Sequence, residues 1–256
     1  MIGVRPSAAS SATAGALTGG LAGRLAVEPG WSWRRPAALA AAGRELALTA
    51  VLVVLPVFVQ APWVRQAPFS AALFTAVLLS AGVLLNLRGP ERLQRSGQLL
   101  VGFSGSWLAG SLFWGWARLH PLCHLPVEAL ALPLALAGLQ GRWRLAGAFY
   151  LGSLLGTAAT DAAIACTGLM PLWPAALTAE PGQAALVLQQ AGQRVLEPGA
   201  LLVVSGFALA LGQLSRWLAR QGEAARVAAT ALATTLVVDG VFLLLTLVAP
   251  RLSGLI

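Results

Sequence analysis

Both histidines of the chain and one of its nine acids lie close together in the stretch Trp116-Ala-Arg-Leu-His-Pro-Leu-Cys-His-Leu-Pro-Val-Glu-Ala129, as His120, His124 and Glu128. A spacing of four places them along one face of an α-helix, should the stretch be helical throughout. Two imidazoles and a carboxylate, joined by Asp161 from the next apolar segment, form a ligand set suited to zinc or non-haem iron. In that chemistry His124, Glu128 and Asp161 hold the ion that activates water, with His120 as a fourth ligand or general base. The same residues also suit an ion-pair cluster in which Arg118 neutralises Glu128 or Asp161. A third use is a pigment or haem site, chlorophyll and carotenoid included, for which one imidazole axial ligand suffices in the haem case. Pro121 and Pro126 bear on the choice, because Pro126 cannot donate to the carbonyl of Leu122 and disfavours helical geometry at Leu125. A helix that starts only near Pro126 would leave the histidines on a polar rim.

Six of the nine acids belong to tails, loops or segment ends, whereas Glu128, Asp161 and Asp239 fall inside long apolar runs. Within a bilayer such a side chain costs about 2.5–3.5 kcal/mol on insertion scales, so each needs a partner or water. At the helical rise per residue, Glu128 and Asp161 lie about 9 and 10 Å in from one end of their spans, and Asp239 about 15 Å in, near the midplane. Carboxylates at two depths are also what a proton-coupled transporter would use, with Asp161 and Asp239 along one path. Asp161 shares its segment with Thr157, Thr160, Gly152 and Gly156, the glycines permitting close approach of another helix. The sequence holds no phosphate-cradling loop, nucleophile elbow or paired-cysteine metal motif, and the absence of lysine excludes Schiff-base chemistry.

The elements that must position these groups are membrane helices. With 57% hydrophobic residues, 10% charged residues and a mean hydropathy of +0.77, the chain has too few charges to solvate a globular surface. Spans of about twenty apolar residues fit seven segments: Leu46–Trp63, Ala67–Leu87, Gln98–Trp116, Leu122–Leu139, Leu145–Leu169, Ala200–Trp217 and Ala228–Val248. The expected fold is therefore an all-α, polytopic transmembrane bundle over residues 45–250, preceded by a mobile tail over 1–44. In that tail Trp31, Trp33, Arg34 and Arg35 resemble an interfacial anchor.

All 17 basic residues are arginines. If the N-terminus is cytoplasmic and every segment crosses once, only Arg65, Arg118, Arg194 and Arg251 fall outside, a positive-inside bias that also puts the C-terminus outside. The outer side then holds the Arg118–Glu128 cluster and a long connection, 170–199, in which Gln183–Leu196 could form a surface helix with Gln189, Gln190, Gln193 and Arg194 toward water. The net charge of +8 is dispersed in ones and twos beside apolar runs, which indicates topology and lipid headgroups as partners rather than nucleic acid. Cys123 and Cys166 read as two separate buried thiols rather than a bridge.

Four stretches taken together are familiar: Leu55-Pro-Val-Phe-Val-Gln-Ala-Pro-Trp-Val-Arg65, Gly102-Phe-Ser-Gly-Ser-Trp-Leu-Ala-Gly-Ser111, His124-Leu-Pro-Val-Glu-Ala129 and Phe149-Tyr-Leu-Gly-Ser-Leu-Leu-Gly-Thr157 through Asp161. They resemble a family of cyanobacterial integral membrane proteins of unknown function, over about residues 46 to 245. The resemblance implies a cyanobacterial plasma or thylakoid membrane, with photosynthetic membrane complexes as partners, and it implies no catalytic activity. Pro126-Val-Glu128 is also similar to part of the proline-x-acid-acid motif of membrane lycopene cyclases, with Ala129 standing where the second acid would be. Seven-span zinc hydrolases such as ceramidases are similar in outline but use three histidines. Three functions follow as expectations: a non-enzymatic membrane factor binding a partner, pigment or small ligand; a membrane-embedded, hydrolase-like metal enzyme; and a proton-coupled transporter.

Overall fold

The computed structural model describes residues 36–249, and among them every regular element is helical. The expected tail therefore lies largely outside the described residues, as do Trp31, Trp33, Arg34 and Arg35, and the first helix, α1, starts at Pro36 and runs to Leu55. It continues through a wide π-helical turn, Pro56–Gln60, into α2, Ala61–Gln66. Pro56 cannot donate into the ladder, which is the usual chemical cause of such a disturbance. Next come α3, Pro68–Arg88, and α4, Glu91–Leu112, the latter ending in a second π-turn at Phe113–Ala117.

The fourth apolar segment is broken. A 3-10 turn, Pro121–Cys123, leads into the short α5, His124–Glu128, and after an irregular link α6 covers Leu132–Gly138. The remainder is regular: α7, Arg144–Cys166; α8, Leu172–Thr178; α9, Pro181–Val195; α10, Pro198–Leu218; and α11, Glu223–Val248.

Six helical segments of the described chain are long and apolar enough to cross a membrane: Ala42–Gln66, Pro68–Arg88, Pro121–Gly138, Arg144–Cys166, Pro198–Leu218 and Glu223–Val248. Their surfaces carry large exposed apolar side chains, among them Phe69, Leu73, Leu122, Leu134, Leu202 and Leu209, a distribution that lipid tails would cover. The remaining apolar run, Gln98–Trp116, coincides with α4 and the π-turn after it; this helix is long but richer in Gln, Ser and Gly. Much of this helix is enclosed by its neighbours, with Gly97, Leu99, Phe103, Trp107 and Ser111 all buried. A helix walled by protein need not satisfy lipid, so its composition can relax toward small and polar residues.

Packing follows from small residues. A Cβ added at Gly97 would fall 2.6 Å from the Gly82 carbonyl oxygen, one at Gly102 2.4 Å from that of Ala146, and one at Gly152 2.5 Å from that of Ala228. These three contacts set α4 against α3, α4 against α7, and α7 against α11. Trp107, fully buried, fills the middle with Trp63, Phe74 and Phe103 around it, and its indole N–H donates to the Ala71 carbonyl at 2.8 Å. Buried Gln60 donates to the Trp107 carbonyl and, at 2.8 Å, to Ser111 Oγ. At one end of the bundle Arg95 links Glu45 (2.9 Å) with Glu223, and Arg144 reaches Glu223 at 2.8 Å, so α1, α4, α7 and α11 share one charge network.

Candidate functional site

At the end of α7 opposite that network, His124 and Asp161 meet. His124 is the first residue of α5, and its Nδ1 lies 2.9 and 3.0 Å from the two oxygens of Asp161, near the end of α7. A carboxylate can only accept here, so the hydrogen sits on Nδ1 and the imidazole donates. The other ring nitrogen, Nε2, looks toward Glu128 one turn later, at 3.9 Å. Two acids thus approach opposite edges of one ring and do not converge on a common point. Among the described residues no three His, Cys, Asp or Glu side chains are placed to hold a metal ion.

The other residues singled out from the sequence are distributed unevenly. His120 is exposed and sits outside any helix at φ −117° and ψ 78°, the extended region that a following proline favours. The face expected to carry His120, His124 and Glu128 therefore begins only at His124. Arg118 is exposed, and what it supplies is its carbonyl, which accepts from the Trp173 indole at 2.9 Å. Where Arg118 was expected beside Glu128 or Asp161, the side chain that approaches both acids is the imidazole of His124. Cys123 and Cys166 are both free, and both are exposed rather than buried; the 3-10 turn and the last residue of α7 leave them at the surface.

Asp239, which has no basic partner in the sequence, finds a hydroxyl: Thr160 Oγ1 donates to its Oδ2 at 2.6 Å. This contact completes a ladder along α7. Gly152 faces Ala228, a Cβ on Gly156 would lie 2.7 Å from Thr235 Cγ2, and Thr160 then meets Asp239. The glycines do the close packing expected of them and in doing so set the register that pairs hydroxyl with carboxylate.

Both acid pairs open onto one cavity of about 390 Å³. Its walls are Ile164 and Thr157 of α7, Thr235, Phe242 and Leu243 of α11, and Leu172, Trp173, Val187, Leu188 and Ala191 from α8 and α9. The connection expected as an outer loop thus contains the surface helix anticipated from Gln183 to Leu196, with Gln189, Gln190, Gln193 and Arg194 exposed and Ala184, Leu188 and Val195 buried. Arg194 fastens it by donating from Nε to the Thr167 carbonyl at 2.9 Å. Aromatic rings close the His124 side: Phe113 lies 4.3 Å and Trp173 5.6 Å from the imidazole, and Trp173 stacks on Trp114 at 5.7 Å.

The only tyrosine of the chain holds the broken segment together. Tyr150, buried on α7, donates its hydroxyl to the Glu128 carbonyl and accepts the Ala131 N–H at 3.0 Å, across the gap between α5 and α6. An open backbone at membrane depth is tolerated only when protein groups satisfy it. Tyr150 and Trp173 are the residues that sequence reasoning passed over. A lone tyrosine in a run of small residues was the available signal for the first, since a buried phenol needs a partner.

No curated protein and no solved structure matches the chain. The family described as "Protein of unknown function (DUF3120)" matches residues 49–247, which include every group of the site and nearly all the described helices. An integral membrane protein with six helices apolar enough to span a bilayer, a broken fourth apolar segment and a cavity carrying two acid pairs, this chain belongs to the DUF3120 family of unknown function.

Proposed function

We propose that the protein is a non-enzymatic membrane factor that binds a small, largely apolar ligand in the cavity between α7, α11 and the α8–α9 cap. The observation that carries this reading is the cavity: about 390 Å³, apolar over most of its wall, with polar groups concentrated at His124–Asp161 and Thr160–Asp239. Ligand sites have this character, an apolar enclosure with a few placed polar groups that fix orientation. In this proposal the arginine distribution sets the cavity toward the outer side of the membrane. The cyanobacterial plasma or thylakoid location and the photosynthetic partners belong to it as well, supported by the resemblance of the quoted motifs.

The test is to purify the wild type and Ala191→Trp in mild detergent, the indole projecting from the α9 wall to obstruct the cavity, and to analyse organic extracts of both by mass spectrometry and absorption. A small molecule, pigment included, present in near-equal amount with the wild type and lost from the variant supports the reading. Identical extracts from two well-folded samples refute it. A second reading, proton-coupled transport, is favoured by one observation, that Asp161 and Asp239 line the same cavity. Ligand-dependent proton uptake in proteoliposomes that vanishes in Asp161→Asn would establish it.

A further inference from the structure

The charge inventory of the cavity narrows the class of ligand. Asp161 is matched by His124, whereas Asp239 has only the Thr160 hydroxyl among the described residues. Among the described residues no arginine lines the cavity, and the chain has no lysine. Arg194, the basic residue nearest in the α9 wall, directs its guanidinium to the Thr167 carbonyl. A carboxylate in apolar surroundings is costly until a positive charge or strong donors reach it. An anionic ligand would meet two acids and no cation, and a neutral one would leave Asp239 as it is.

We infer that the ligand is a lipophilic amine or other organic cation, with its apolar body against the α8–α9 wall and its positive head at Asp239. This rests on the cavity being a ligand site, as proposed above. The rest of the lining suits such a molecule. Thr157 and Thr235 add hydroxyl acceptors, while Trp114, Trp173, Phe242 and Leu243 give an apolar body surface to pack on. The His124–Asp161 pair supplies a second acid whose partner is a side chain rather than a fixed charge of opposite sign.

The experiment compares three probes sharing one compact apolar cage: 1-adamantylamine, 1-adamantanol and 1-adamantanecarboxylate. Binding is measured by calorimetry to the full chain in lipid nanodiscs. The amine should bind about tenfold or more tighter than the alcohol, as a charge-assisted hydrogen bond gives, and the carboxylate should not bind measurably. Asp239→Asn should lower the amine to the level of the alcohol without changing the alcohol. Thr160→Val, which keeps the carboxylate, should preserve the preference for the amine and so guards against a folding defect in the first variant. Amine and alcohol binding equally would overturn this inference while leaving the cavity as a ligand site. Failure of all three probes would overturn both, and amine binding unchanged in Ala191→Trp would mean partition into the bilayer and overturn the inference too.

Discussion

Replacing Tyr150 by Phe removes one oxygen and nothing else, and the geometry says what that oxygen holds. It accepts the Ala131 N–H at 3.0 Å and donates to the Glu128 carbonyl, so two backbone groups at the α5–α6 break lose their partner at once. Tyr150 is only 2% exposed, so water does not readily take the place of the hydroxyl. An orphaned buried polar group costs about 1–3 kcal/mol, and partial rescue by the neighbouring turn makes about 2–4 kcal/mol for the pair a reasonable expectation. At about 2–4 °C per kcal/mol for a chain of this size, the melting temperature should fall by roughly 4–16 °C. The assay is thermal unfolding of the detergent-solubilised protein followed by tryptophan fluorescence, paired with hydrogen exchange at Ala131, whose protection should be lost selectively. A variant that melts within a degree of the wild type and keeps Ala131 protected would refute the claim that α7 stitches the break.

Gly152→Leu should be far more damaging than Gly212→Leu on α10, because a Cβ at Gly152 lies 2.5 Å from the Ala228 carbonyl oxygen whereas nothing lies within 4 Å at Gly212; loss of the folded fraction on size-exclusion chromatography for the first alone is the expected result. In the charge network, Glu45→Ala should cost more than Arg144→Ala, since the Glu45 side chain is 6% exposed and that of Arg144 57%, and an exposed pair contributes about 0–1 kcal/mol; thermal melts of the two variants in low and high salt check the order, with the Arg144 effect shrinking in salt. Cys123 and Cys166 are free and exposed, so a membrane-impermeant maleimide should label both from the same side of sealed vesicles, and labelling from opposite sides would contradict the fold at the His124 end of the bundle.

Six of the seven apolar runs coincide with helices apolar enough to span, and they were legible because lipid demands hydrophobicity over a fixed length. The segment Gln98–Trp116 was expected as a span like the rest; its Gly102, Gly105, Ser106 and Gly110 are small residues that suit a helix packed against others. The pairing of His124 with Asp161 was half legible: depth put Glu128 and Asp161 at one level with His124 on the same side, but the choice of His124 over Arg118 depends on the turn at Pro121, a local conformation that precedes α5. Thr160 with Asp239 was not legible, since helix order around a bundle leaves no trace in a single sequence. The break at 129–131 was legible in part: Pro133 cannot donate to the Ala129 carbonyl and so marks the start of a new helix, whereas the hydroxyl that satisfies the gap arrives from another segment.

One helix measures out this whole arrangement. Along α7, Tyr150 and Asp161 are separated by about three turns and share a face toward α5, while Gly152, Gly156 and Thr160 recur at four-residue steps toward α11. Because each residue advances the helix by about 100°, a single residue inserted between Gly152 and Gly156 would swing everything beyond it by that angle, with the start of the helix still pinned through Gly102 against Ala146. Asp161 would leave His124 and Thr160 would leave Asp239 in the same stroke. Changes of chain length should therefore be confined to the connections between helices, such as the link before Arg144 or the one after Leu218, while α7 keeps its residue count even where its side chains vary.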